Sequence, residues 1–203
     1  MSMKRLLLYR GLSPNYICRF KILHRKVDSA WESRFYNKHK KAYMSDKNVV
    51  NVWFPKESYC TVESHTKEGH PVITVIQESL KKFEFKNIFA WNLSIIFDLN
   101  DVGDNGMPSG DEIGIIQDYC DNLEKLFNDN PEKPNALFLF RETYDGTCEV
   151  VWRVYDADKV DTILKKVIEE KKHPREFDYE MEYDEEWKLV EWYLQDFPRD
   201  ENN

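Results

Sequence analysis

Every second residue from Phe89 to Leu99 is apolar: Phe89, Trp91, Leu93, Ile95, Phe97 and Leu99. Side chains of a strand point to opposite faces with period two, so this run predicts a strand with one wholly apolar face. Its other face carries Asn92, Ser94 and Asp98, as a half-solvated or edge-covered face would. The rest of the chain has to bury the apolar side.

The segments that follow have the periods to do so. Asn100–Gly110 is a loop rich in Asp, Asn and Gly. Ser109 and Glu112 then have the spacing of a capping box. They predict a helix to about Asn128, with Ile113, Ile116, Cys120, Leu123 and Phe127 as its buried stripe. After the loop Asn130–Pro134, Ala136–Thr143 is apolar on both faces, which marks a central strand. Asp145-Gly146 is a hairpin signal, and Glu149–Tyr155 returns as the partner. Asp158–Glu170 reads as a helix with Val160, Ile163, Leu164, Val167 and Ile168 inward. Phe177, Tyr179, Met181 and Tyr183 alternate as another strand. Asp184–Leu194 closes as an amphipathic helix carrying Trp187, Val190 and Tyr193 or Leu194.

From Phe89 the order is strand, helix, strand, strand, helix, strand. That is the order of the ferredoxin-like (βαββαβ) fold, an α+β antiparallel sheet with helices packed on one face. Upstream, Val49–Phe54 and Tyr59–Glu63 predict short strands parted by Pro55, as a hairpin or one bent strand. Pro71 predicts the start of a helix to about Phe83, with Val72, Ile73, Ile76, Leu80 and Phe83 at helical spacing.

Charge divides the chain at Met44. Residues 1–43 hold 11 Lys/Arg and two acids, Asp28 and Glu32, a net of +9. Residues 44–203 hold 18 Lys/Arg and 35 Asp/Glu, a net of −17, which brings the whole to −8. The expected organisation is a basic, disordered leader over 1–43, a single α+β domain over 44–197 and a polar tail over 198–203. The leader interleaves its cations with Tyr9, Tyr16, Phe20, Trp31, Phe35, Tyr36 and Tyr43. Such a mixture suits phosphate contacts with base stacking, or an organelle address. It also suits plain disorder, or translated sequence upstream of a true start at Met44. The acidic body makes nucleic acid an unsuitable partner for the folded domain.

Other functions are excluded by what the sequence lacks. The apolar runs Leu6–Leu8 and Ala136–Phe140 are far short of the roughly 20 residues of a membrane helix. Cys18, Cys60, Cys120 and Cys148 lie far apart with no Cys-x-x-Cys pair, which suits isolated reduced thiols in the cytoplasm. The motif Gly-x-Ser-x-Gly is missing, and His65 and His70, five residues apart, make a poor metal pair.

Two clusters carry functional interest. On Glu176–Tyr183 the apolar residues take the odd positions, so Glu176, Asp178, Glu180 and Glu182 share the other face. A row of carboxylates guards an edge strand against aggregation, or docks a basic partner. The loop Asp98–Glu112 holds Asp98, Asp101 and Asp104 as weak candidate metal ligands, though its spacing is not that of an EF-hand. Arg141 and Arg153, on the two arms of one hairpin, are expected to pair with Glu142 or Glu149.

The stretch Asn87–Leu194 resembles a bacterial family, domain of unknown function 695. The likeness rests on Phe89-Ala90-Trp91, on Asn105-Gly106-Met107-Pro108 with Glu112, and on Ala136–Arg141. It continues through Asp145-Gly146 before Trp152 to Asp184-Glu185-Glu186-Trp187, and reaches back to His70-Pro71-Val72-Ile73. The resemblance implies a small cytosolic α+β domain without an established activity. Family domains occur beside ones similar to regulator B of ribonuclease E, a protein inhibitor, and that company transfers no residue roles.

The expected function is therefore that of a non-catalytic, acidic interaction or regulatory protein without a cofactor. Its partner would be a basic protein, such as a nuclease or a toxin inhibited in the manner of an immunity protein. The alternative is a small-ligand or divalent-metal-dependent enzyme with its site at the Asp98–Glu112 loop.

Overall fold

The computed structural model describes residues 21–23, 41–45, 48–130 and 132–197. The strands are β1 (Lys21–Leu23), β2 (Lys41–Ser45), β3 (Asn48–Val52), β4 (Tyr59–His65), β5 (Pro71–Gln77), β6 (Trp91–Asp98), β7 (Ala136–Tyr144), β8 (Thr147–Val154) and β9 (Phe177–Tyr183). Helix α1 (Gly110–Phe127) follows β6, and α2 (Ala157–Glu169) follows β8. Short 3-10 helices span Glu78–Lys82, Lys86–Ile88 and Lys188–Leu194. Seven strands form one sheet in the order β1-β4-β5-β7-β8-β6-β9, and β2-β3 form a separate hairpin. All pairings are antiparallel. The class is mixed α+β.

The sheet separates two cores. On one face α1 and α2 bury Ile116, Leu123, Phe127, Val160 and Leu164 against Leu93, Ile95, Phe97, Val150 and Trp152. Each such side chain contributes roughly 1.5–3 kcal/mol when fully buried. On the opposite face Tyr43, Val52, Leu80, Phe83, Trp187 and Val190 cover Val62, Ile76, Phe140 and Val151. The two expected helices do share one face, and the other face is covered in part as well. Central strand β7 serves both cores, which is why its first five residues are all apolar, while Arg141, Glu142 and Thr143 follow them.

Local chemistry explains the boundaries. Ser109 Oγ accepts from Glu112 N at 3.2 Å and caps α1, and Asp156 Oδ1 accepts from Lys159 N at 3.1 Å and caps α2. Only half of the expected capping box forms, because the Glu112 carboxylate turns to Asn100 N and Arg175 instead. Asp145 (φ 44°) and Gly146 (φ 76°) make the two-residue turn between β7 and β8. Two positive φ values are what a type I′ turn demands.

Four expectations need correction. Pro71–Gln77 is a strand paired with β4 and β7, not a helix. Val72, Ile73, Thr74, Val75 and Ile76 are all β-branched, and Val72, Thr74 and Ile76 are buried with period two. Consequently Tyr59–His65 pairs with β5, and Asn48–Val52 pairs with β2 rather than with Tyr59–Glu63. The closing helix is a 3-10 helix starting at Lys188, because Trp187 sits at φ 60° and interrupts regular α-helix. Ile168 of α2 is 41% exposed, so it lies outside the buried stripe.

The charge boundary at Met44 falls inside β2. Lys21–Leu23 joins the sheet through β4, and Tyr43 is buried. The rest of the basic segment and the tail 198–203 lie outside the described residues.

Candidate functional site

Strand β9 is an edge strand, hydrogen-bonded to β6 alone among the described strands. Its Phe177, Tyr179 and Met181 pack toward the helices. Asp178, Glu180 and Glu182 therefore take the opposite face, in register with Ile96, Ser94 and Asn92. Glu176 precedes the strand, and its carbonyl accepts from Asp98 N at 3.0 Å. Asp178 and Glu176 are exposed, whereas Glu180 and Glu182 are half-buried.

The ladder carries this acidity inward. Asp178 is opposite Ile96, Ile96 opposite Glu149, Glu149 opposite Glu142, and Glu142 opposite Thr74. Carboxylates thus stand on β9, β8 and β7 along one row of one face. The sequence expectation had assigned Glu142 and Glu149 to Arg141 and Arg153, and the structure corrects it. Arg141 and Glu142 are consecutive and so face opposite sides, and Arg141 Nη1 donates to Gln117 Oε1 of α1 at 3.3 Å. Arg153 shares a face with Glu149, but four residues along the strand.

Hydroxyls rather than cations serve the inner pair. Thr74 Oγ1 donates to Glu142 at 2.9 Å, Tyr193 OH donates to it at 3.4 Å, and Ser94 Oγ donates to Glu149 at 2.6 Å. Burial, and then the neighbouring Glu149 charge, push the Glu142 carboxyl up to about 7. Burial also raises Glu149, against the hydrogen bond from Ser94. An unfolded Glu142 releases its proton near 4.5. Stability is therefore expected to fall as pH rises from 4.5 to about 7 and to stay lower above it. Glu142→Gln keeps an oxygen for the two hydroxyls and removes the charge. It should stabilise the protein by about 2 kcal/mol at pH 8 and by little at pH 4.5, read from urea midpoints.

The second candidate, the Asp98–Glu112 loop, folds onto itself. Gly103 N donates to Met107 O, Gly106 N to Gly103 O and Met107 N to Asn105 Oδ1, at 2.9, 2.9 and 3.1 Å. The loop then docks on the β7–β8 turn, with Gly146 N donating to Gly106 O at 2.8 Å. Asp101 and Asp104 are exposed, and Asp98 lies on the acidic face opposite Thr147. Among the described residues no group of three or more His, Cys, Asp or Glu is placed to hold a metal ion. His65 and His70 flank the β4–β5 turn, and His70 stands 3.7 Å from Asp145. Gly106 is required here: its φ is 75°, and an added Cβ would lie 2.8 Å from Asp145 Cα. Gly106→Ala is expected to lower stability by about 2 kcal/mol, as a drop in urea midpoint.

Below this loop Arg175 grips Glu112 in a fork, with Nε and Nη2 donating at 2.7 and 2.6 Å. The Arg175 hydrogen bonds hold the Glu112 carboxyl below the usual range although it is buried. At the other end of the sheet Arg153 is fully buried. It donates to Phe89 O, Ala90 O and Asn92 Oδ1, and to both the side chain and the backbone of Asp184. Its guanidinium stacks 4.8 Å from the Trp187 ring, whose Nε1 donates to Lys86 O and Phe89 O. Part of the family likeness thus lies at the docked loop and part at this latch, while residues 136–141 and Trp152 lie in β7 and β8.

A family model matches residues 61–195. The chain belongs to the family of unknown function DUF695. The DUF695 region runs from within β4 to just past the last 3-10 helix, so it holds the acidic row, the docked loop and the Arg153 latch. Strands β1 to β3 precede it. No curated protein and no solved structure matches the chain.

Proposed function

We propose that this DUF695 protein is a non-catalytic interaction protein whose acidic sheet face takes a basic protein partner. The observation that carries the reading is the row of carboxylates running from Asp178 through Glu149 to Glu142, extended along the edge by Glu176. The inner pair is served by hydroxyls, with Glu142 buried. A partner's lysine or arginine would therefore seat on the exposed Asp178 and Glu176 and offset the row's repulsion from there. Complementary potential of this kind speeds encounter and sets specificity more than raw affinity. A nuclease or a toxin, inhibited as by an immunity protein, is the partner class with suitable charge. Free Cys60, Cys120 and Cys148 fit a cytoplasmic setting. Nothing in the loop's geometry favours the alternative of an enzyme at Asp98–Glu112. The unit from β6 to β9 reads as ferredoxin-like, supported by its strand order β7-β8-β6-β9.

The test uses the full chain with Glu176→Lys and Asp178→Lys combined, both being exposed positions. Affinity for a basic protein captured from source cells should drop at least tenfold, on the order of 1.4 kcal/mol, with the urea midpoint nearly unchanged. Affinity that survives the reversal, or that is insensitive to salt, overturns the docking face.

A further inference from the structure

We infer that Glu142 and Glu149 form a one-proton switch, with a single charge on the pair in mild acid and two charges in mild base. The geometry carries this. The two residues are direct partners on adjacent antiparallel strands, both off the solvent-facing edge of the sheet. Directly opposite residues bring their Cβ atoms to about 4.5–5.5 Å. Carboxyl groups carried on neighbouring Cβ atoms feel each other's charge, and Glu142 is raised by burial and then by the Glu149 charge, so the pair titrates in two coupled steps.

The surroundings set how many charges the pair tolerates. Three hydroxyls point at it: Thr74 from β5 and Tyr193 from the last 3-10 helix onto Glu142, and Ser94 from β6 onto Glu149. Further along the row on β9 stands Asp178, and Glu180 is in register with Ser94. Asp98 lies opposite Thr147, two residues from Glu149 on the same face. No ion pair joins a cation of the described residues to either carboxylate, and the nearest arginine in sequence, Arg141, faces α1. Tyr193 also stacks on Phe140 at 3.7 Å, which holds its hydroxyl over the pair.

The consequence for recognition rests on the docking reading above. As pH rises through neutrality, the face gains one negative charge and its hold on a cationic partner tightens. Any cation that docks there, in turn, expels a proton.

Carbon-13 NMR of the side-chain carboxyls in the full chain tests the switch without a partner. The expected result is two coupled steps on Glu142 and Glu149, the upper one near neutrality. In Glu142→Gln, the Glu149 step should move, because its neighbour no longer charges. Ordinary titration of both groups below about pH 5 overturns the switch, as does a Glu149 curve indifferent to the substitution. The coupling to docking is tested with a lysine-rich peptide as probe, by calorimetry at pH 6 and pH 8. Affinity should rise roughly fivefold in the native chain, the effect of one added charge at partly screened range, and stay flat in Glu142→Gln. Equal binding at both pH values overturns the coupling and leaves the docking face standing. No binding at either pH overturns the docking reading, and the carboxyl titration then decides the switch.

Discussion

Arg153→Leu is expected to remove about 3–5 kcal/mol of folding stability. The guanidinium is fully buried and bonds Phe89 O, Ala90 O, Asn92 and Asp184 at once, tying the start of β6 to the turn after β9. Burial lowers its pKa to about 10, while Asp184 opposes that shift, so the group remains charged at neutral pH. Leucine fills part of the volume but leaves the Asp184 carboxylate, whose side chain is only 8% exposed, without its cation and with only the Lys188 and Leu189 backbone donors. The uncompensated charge is the larger part of the cost, because Phe89 O and Ala90 O keep Trp187 Nε1 and Asp184 N as donors. Arg153→Lys retains charge but lacks the planar fork, and should lose about 2 kcal/mol. Adding Asp184→Asn to Arg153→Leu should recover part of the loss. Urea denaturation of the three variants separates these cases, and a recovery of zero would mean that packing on Trp187 dominates.

Arg175→Ala has the second largest effect, about 3 kcal/mol at pH 7. Glu112 is 1% exposed and Arg175 is its forked partner, so the substitution leaves a carboxylate buried at the first turn of α1. The pH dependence identifies the cause. In the native chain Arg175 depresses the Glu112 pKa below its ordinary 4.5. The pair therefore contributes stability above pH 4.5 that is lost as pH falls through the depressed value. Without Arg175 the buried carboxyl gains by protonation, so the gap between native and variant urea midpoints should narrow from pH 7 to pH 3.5. A constant gap would point to lost packing of the arginine stem instead.

Much of the architecture was legible because it is written in short periods. The alternation at Phe89–Leu99 and Phe177–Tyr183, the Ser109 cap and the Asp145-Gly146 turn are each decided within a few residues. Pro71–Phe83 misled because Val72, Ile73, Ile76, Leu80 and Phe83 satisfy a helical spacing while their upstream half also satisfies a strand. The uninterrupted β-branched run was the available arbiter. The acidic ridge was legible for the same reason, since period two sorts Asp178, Glu180 and Glu182 onto one side. The inner members Glu142 and Glu149 were not. Their membership depends on the order β7-β8-β6-β9, which sequence spacing does not contain. The partners of Arg153 and Arg175 lay 31 and 63 positions away, beyond any local pattern.

The junction between β5 and β7 also governs how such a chain must come together in time. Thr74 and Glu142 touch across 68 positions, whereas β4 meets β5, and β7 meets β8, over a single turn. Local hairpins form in about 1–10 μs. Closing the long excursion that carries β6 and α1 costs entropy before any contact returns it. The β4–β5 hairpin and the β7–β8 hairpin are thus early, separate pieces. Until β5 finds β7, each leaves an unpaired apolar strand edge open to other chains, and that interval is when this protein is most prone to aggregate.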